Sequence, residues 1–306
     1  MANIPDLVTP KVDIAFKKIF GVEENKDLLI SLINSIVSEE DQAVSIEVMN
    51  PYNLQSFKND KLSILDIKAR RKDGLKYNIE IQVSDEGDYD KRALYYWSKA
   101  YTEQMERGMQ YDVLRKTIGI HILNFFSVPN SDRYHNVFTV QEKETKLPYF
   151  MDFEMHTIEL CKFEGEGAAA ELDAVLKKVR QPLDEWVTFL TKHQLMDSKN
   201  LPKELRLPEI SKAMQVLDVM NFDKEEREEY EARLKWLRIE ASTIRKLAQE
   251  QYIIGKTEGL LEGEARGKAE GKAEMAKSML SNGLGIELIS SITGLSGDEI
   301  SNLGMK

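Results

Sequence analysis

The sequence predicts an α/β core followed by a region built only of helices. Hydrophobic periodicity switches from helical to alternating and back within the first half of the chain, as it does when strands and helices share one core. Beyond about residue 165 the alternation stops and only helical patterns remain. The 306 residues are 42% hydrophobic and 31% charged, which is enough apolar side chain for a core and too much for a disordered chain.

The elements follow in order. In the opening run Thr9 suits a cap, Pro10 a first turn and Gly21 a stop, with Val12, Phe16, Ile19 and Phe20 on one face. A second helix over residues 26–37 carries Leu28, Leu29, Leu32, Ile33 and Ile36. Alternation at residues 44–49, 62–70 and 75–83 predicts three strands. A helix over 89–105, with Asp88 as its cap, precedes a buried strand at 117–126 and two more strands at 136–142 and 153–160. Composition shifts at Gly165-Glu-Gly167, and helices are predicted over 168–179, 183–195, 208–220 and 223–252. Asp223 and Glu226 open the last of these in the pattern of a capping box. Five glycines then recur every four residues, from Gly255 to Gly271, and a tail of short helices breaks at Gly283-Leu-Gly285 and Gly294-Leu-Ser296. This gives an α/β domain over 1–165, a helical region over 166–254, and a glycine-repeat helix with a tail over 255–306.

Composition narrows the chemistry. Cys161 is the only cysteine, which excludes a disulfide framework and a multi-cysteine zinc site. His121, His135, His156 and His193 show no metal-ligand spacing. No run of about 18 apolar residues occurs and Met1–Pro10 has no apolar signal core, so a cytoplasmic protein without a membrane partner is expected. The net charge of −10 opposes non-specific nucleic-acid binding by the chain as a whole. A nucleic-acid site would need a local basic patch or a metal ion.

The strands at 62–70 and 75–83 are joined by Lys72-Asp73-Gly74, and a hairpin loop of three residues ends well on a glycine in the left-handed region. Counting inward pairs Leu65 with Ile81, Ile67 with Ile79 and Ala69 with Tyr77. The other face pairs Asp66 with Glu80 and Lys68 with Asn78, with Gln82 next to Glu80. A slip of one residue would mix the two faces, so the pattern specifies this register. It sets two carboxylates across from each other with Cβ atoms about 5 Å apart. They repel unless one holds a proton or a cation lies between them. Such oxygen ligands suit Mg²⁺ or Mn²⁺, which polarise a phosphoryl oxygen and acidify a bound water. Gln82 is placed to orient that water or the phosphate. The same pattern also describes a solvated strand face on which Lys68 and Arg70 neutralise the acids.

The order of helix, strand, Asp-bearing strand, Glu-x-Gln strand, helix and strand looks like the PD-(D/E)xK nuclease core. Asp13-Ile-Ala-Phe-Lys-Lys-Ile-Phe-Gly21, Leu65-Asp66-Ile-Lys-Ala, Ile79-Glu-Ile-Gln82 and Arg92-Ala-Leu-Tyr-Tyr-Trp-Ser-Lys99 resemble the recombination-promoting nuclease and transposase family of that superfamily. The glycine run and Thr293-Gly-Leu-Ser-Gly-Asp-Glu-Ile300 are similar to it as well, so the resemblance covers essentially the whole chain. It implies a DNA endonuclease that uses Mg²⁺ or Mn²⁺ and promotes recombination, with Asp66 and Glu80 as metal ligands.

Two positions depart from the superfamily pattern. Leu65 stands where the motif has proline, and Gln82 where it usually has lysine, whose charge would lie beside the attacking water and the phosphate. Glutamine hydrogen-bonds but adds no charge. Lys68 and Lys17 are the candidates to supply it. Asp13 either pairs with Lys17 on the helix surface or adds a third acid to the site. Arg92, Tyr96 and Lys99 form one helical stripe in which Arg92 suits a bidentate phosphate contact, or else Tyr95, Tyr96 and Trp97 pack that helix on the sheet. Lys68, Arg70, Arg71, Lys72 and Lys76 outweigh Asp66 and Asp73 and give the hairpin a net +3. The DNA-facing set is thus Lys17, Arg70, Arg71 and Arg92.

The helical half offers no catalytic set. Glycines four apart wind by about 40° per step around a helix. They permit close approach of another helix, or they make a flexible connector. The segment 286–300 resembles a helix-turn-helix, but with few Lys or Arg it reads better as a packing or homo-oligomer element. Beside the endonuclease stand two alternatives: a catalytically weak DNA-binding relative, and a non-enzymatic helical interaction protein.

Overall fold

The computed structural model describes residues 8–51, 66–85, 87–164, 171–220 and 222–303. The predicted strand residues 62–65, the Leu65 pairing with Ile81 and the Gly165-Glu-Gly167 junction lie outside them.

The chain divides into two compact units, Met1–Arg238 and Ile239–Lys306. In the first, six strands form one mixed sheet in the order β1-β2-β3-β4-β6-β5. They are β1 (Ile46–Val48), β2 (Asp66–Arg71), β3 (Lys76–Gln82), β4 (Thr117–Leu123), β5 (His135–Gln141) and β6 (Pro148–Glu159). The pairs β3–β4 and β4–β6 are parallel and the others antiparallel. α1 (Asp13–Phe20) and α2 (Lys26–Ile36) precede the sheet, and α3 (Tyr89–Thr102) links β3 to β4. α4 (Leu160–Glu164), α5 (Leu172–Leu176), α6 (Pro182–Lys192) and α7 (Pro208–Asp218) follow it.

One sheet face is apolar because β2, β3 and β4 turn Ile67, Ala69, Tyr77, Ile79, Ile81, Ile118, Ile120 and Ile122 to the same side. These join Phe16, Phe20, Leu28, Leu32, Trp186 and Phe189 of the helices in one buried cluster. α3 packs on β4, where Trp97 Nε1 donates to the Thr117 carbonyl at 2.7 Å and Tyr89, Ala93 and Leu123 make a small second core.

α8 runs from Lys224 to Ser281 and opens with the expected capping box, Glu226 N donating to Asp223 Oδ1 at 2.8 Å and Asp223 N to Glu226 Oε2 at 3.0 Å. Its residues up to Arg238 belong to the first unit. In the second unit α9 (Ile286–Thr293) and α10 (Gly297–Leu303) enclose Ala276, Ile289 and Ile300 with Met279, Leu280 and Leu284. Gly294 ends α9 at φ +71°, a left-handed C-cap. The glycine run lies inside α8, and a Cβ at any of its five positions would meet nothing within 4 Å, so no described segment approaches it. Among the described residues no helix is long and apolar enough to cross a membrane.

Several expectations are corrected. α1 starts at Asp13, not at Pro10. Residues 9–12 form a turn closed by Val12 N on the Thr9 carbonyl at 3.2 Å, and Tyr230 Oη accepts from Thr9 N at 3.0 Å. β6 starts five residues earlier than predicted because it extends as a hairpin with β5 through a register shift near Thr139. The helix from 223 continues through the glycine run rather than stopping at 252. Of the three adjacent aromatics on α3 only Trp97 is buried, while Tyr95 stands 64% exposed. Asp88 makes no cap hydrogen bond and pairs instead with Lys91.

Candidate active site

The hairpin positions the carboxylates. Gly74 takes φ +96°, Gly74 N bonds the Arg71 carbonyl at 3.0 Å, and Arg71 N bonds the Leu75 carbonyl at 2.8 Å. The register from that turn pairs Asp66 with Glu80, Ile67 with Ile79, Lys68 with Asn78 and Ala69 with Tyr77. Asp66, Lys68 and Glu80 therefore share one face, with Gln82 next along. Asn50 fixes the outer strand, donating from Nδ2 to the Asp66 carbonyl at 3.0 Å and accepting from Lys68 N at 2.6 Å. On the other side the parallel register brings His121 of β4 next to Glu80.

Glu80 is buried among polar groups. Arg92 Nη2 lies 3.4 Å from Oε1, Tyr89 Oη 3.4 Å from Oε2, and His121 Nδ1 3.7 Å from Oε2. Tyr89 Oη and His121 Nδ1 are 2.7 Å apart, so the tyrosine bridges histidine and carboxylate. Burial, reinforced by Glu80, pushes the Tyr89 hydroxyl well above its ordinary pKa. Asp66 differs: its Oδ1 is buried and has no hydrogen-bond partner among the described residues. Burial raises the Asp66 carboxyl above the usual carboxylate range. Lys68 and Lys17 pull it back, and Glu80 pushes it up again. An orphaned carboxylate oxygen opposite a second carboxylate suits a cation. The donors offered are the carboxylates of Asp66 and Glu80, both hard oxygen ligands. Among the described residues no group of three or more His, Cys, Asp or Glu could hold a metal.

The other candidates fall into two places. Lys17 and Asp13, both buried on α1, lie at this end of the sheet: Lys17 acts electrostatically on Asp66, and Asp13 lines a small cavity with Gln82. Asp13 Oδ2 accepts from Arg233 Nε of α8 at 2.7 Å. Lys68 reaches across to Glu103 at 2.9 Å. Arg92 is at Glu80. Arg70 and Arg71 lie at the hairpin tip, beside an open groove of about 480 Å³ that also involves Lys26 and Lys72. Arg70 pairs with Glu47 at 2.7 Å, and Arg71 binds Asp73 and the carbonyls of Glu40 and Gln42.

Tyr89, His121 and Arg233 escape a reading of the sequence. His121 sits at the centre of an unbroken apolar strand, and a polar residue there is the one signal it gives. Arg233 meets Asp13 across 220 residues of chain and gives none.

Residues 10–246 match the family described as PD-(D/E)XK nuclease family transposase. Residues 269–305 match the Rpn/YhgA-like nuclease family C-terminal HTH domain. The second match identifies the tail as the helix-turn-helix that its sequence resembles, and the Gly294 turn and the Ile289–Ile300 core are what that two-helix fold requires. Neither the curated proteins nor the solved structures hold a significant match.

Proposed function

The chain belongs to the PD-(D/E)XK nuclease family of transposases, and from that premise we propose that it is a metal-dependent DNA endonuclease whose catalytic centre is Asp66, Glu80 and Gln82. The observation that carries the reading is the buried Asp66 Oδ1, unpartnered among the described residues and directly across the strands from Glu80. A divalent cation, Mg²⁺ or Mn²⁺, held by these two carboxylates supplies Lewis-acid polarisation of the phosphoryl oxygen and a more acidic water.

The protein side chains do the rest. Arg92 at Oε1 and Tyr89 at Oε2 hold Glu80 in place, with His121 in turn bonded to the tyrosine hydroxyl. Gln82 orients water or phosphate with its amide. Lys68 and Lys17 offset the negative charge around Asp66 and so keep it available as the carboxylate. Along β2 the residues of the same face run from Asp66 through Lys68 to Arg70, about 13 Å at strand rise, so the basic tip continues the line of the site. Arg70 and Arg71 there, with Lys17 and Arg92 nearer the carboxylates, make the backbone-contacting set. DNA is also the partner that the C-terminal helix-turn-helix domain suggests. Self-association would bring two such centres to one duplex, and a cytoplasmic setting accords with the lone Cys161.

Supercoiled plasmid incubated with the chain in Mg²⁺ or Mn²⁺, and in parallel with EDTA, tests the assignment. Conversion to nicked or linear DNA only with metal is the expected result. Binding without conversion in either metal would make the chain a catalytically weak DNA-binding relative, as the absence of a lysine at Gln82 would then explain. Neither binding nor conversion would leave the α/β unit as a scaffold for interactions.

A further inference from the structure

Next to the carboxylate pair lies a second polar feature. Asp13 of α1, Gln82 and Ser84 at the end of β3, and Arg233 and Trp236 of α8 line a cavity of about 50 Å³, space for a few waters or one tetrahedral oxyanion. We propose that this cavity takes a backbone phosphate of the DNA strand, with Arg233 as its cationic ligand and Asp13 as the residue that positions the guanidinium. The proposal rests on DNA being the substrate of the neighbouring site.

The geometry supports it in several ways. Asp13 accepts at Oδ2 from Arg233 Nε, 2.7 Å, and at Oδ1 from Ile14 N, 2.7 Å, so the carboxylate is fixed at both oxygens. The first of these bonds fixes the plane of the guanidinium through Nε. The terminal nitrogens make no other hydrogen bond among the described residues, and their fork matches two phosphate oxygens. Arg233 also keeps 36% of its side chain open to solvent, whereas Asp13 beneath it keeps 6%. Finally, Gln82 contributes hydrogen bonds but no charge to this cavity, and Arg233 brings a permanent one to the same space. Trp236, 45% exposed and with its ring centroid 5.8 Å from the guanidinium, offers a face on which the adjoining base can stack.

The test is DNA affinity of the full chain against salt, measured by fluorescence anisotropy of a labelled oligonucleotide in EDTA, where cleavage cannot interfere. Removing a single protein–phosphate interaction flattens the slope of log K against log salt by about 0.7 on a single strand or about 0.9 on a duplex. Arg233→Gln should flatten it by that amount, and Arg233→Lys should keep it. Because Arg233→Gln leaves Asp13 without its cation and could unfold the chain, the comparison is repeated in Asp13→Asn, where an amide pair replaces the ion pair. The same flattening is expected between Asp13→Asn and the double variant. An unchanged slope in either folded comparison would overturn the proposal and leave the DNA reading standing. Absence of salt-dependent binding by the unaltered chain would overturn both.

Discussion

Replacing Asp66 by asparagine should stabilise the metal-free protein while removing its response to metal. Two carboxylates facing each other across an antiparallel pair, about 5 Å apart, repel by about 3 kcal/mol at an effective dielectric of about 20. Lys68 and Lys17 offset part of this, and burial adds to it, so the Asp66 carboxyl stays raised. Asparagine removes the charge and can donate its amide to Glu80, which leaves a net gain on the order of 1 kcal/mol in EDTA. In a chain of this size that is about 1–2 °C of melting temperature. The sign with pH follows from the raised pKa. Protonated Asp66 is the form the fold prefers, so this contribution is fully present below the unfolded value of 3.8 and is lost as pH rises through the folded one. The gap between the variant and the parent should therefore widen with rising pH and close near pH 4. With Mn²⁺ at about 100 times its dissociation constant the parent should gain about 2.7 kcal/mol and the variant almost nothing. Thermal melts in EDTA and in Mn²⁺ over this pH range give all three readings. A variant that melts lower than the parent in EDTA, or that gains as much from Mn²⁺, would refute the reasoning.

Other outcomes follow from the same site. Gln82→Ala should slow plasmid cleavage about tenfold or more and leave Mn²⁺ affinity by calorimetry nearly unchanged; a large loss of affinity would make its carbonyl oxygen a ligand. Lys68→Met removes a charge that lowers the Asp66 pKa, so the acid limb of the cleavage rate should move to higher pH. Ending the chain before Gly255 should leave a folded α/β unit with weaker self-association by light scattering and better-preserved nicking than double-strand cutting. A full-length chain that stays monomeric at high micromolar concentration would end that last expectation.

The hairpin is legible in the sequence because its determinants are local. A three-residue turn closing on Gly74 and an alternation that keeps Ile67 and Ile79 apart from Asp66 and Glu80 leave one register. The capping box at Asp223 and Glu226 is legible for the same reason. What stays hidden depends on pairing between distant segments. His121 joins Glu80 only because β3 and β4 pair in parallel after a helical crossover, and no pattern within β4 states that register. Arg233 reaches Asp13 only because the start of α8 packs against α1. The start of α1 is misread because Thr9 and Pro10 carry strong helix-start signals, while a turn and a hydrogen bond to Tyr230 hold those residues outside the helix. In the tail, charge misleads about fold. The turn glycine and three apolar positions fit a helix-turn-helix, and the scarcity of bases there speaks to affinity rather than to architecture.

The most direct test of the account is metal-dependent nicking of supercoiled plasmid by the parent chain, Asp66→Ala and Glu80→Ala, side by side with Asp73→Ala, an exposed acid at the tip of the same hairpin. Asp66→Ala and Glu80→Ala should each lose metal-dependent nicking while remaining folded, and Asp73→Ala should keep it. Undiminished nicking by a folded Asp66→Ala or Glu80→Ala protein would contradict the assignment of the carboxylate pair as the catalytic centre.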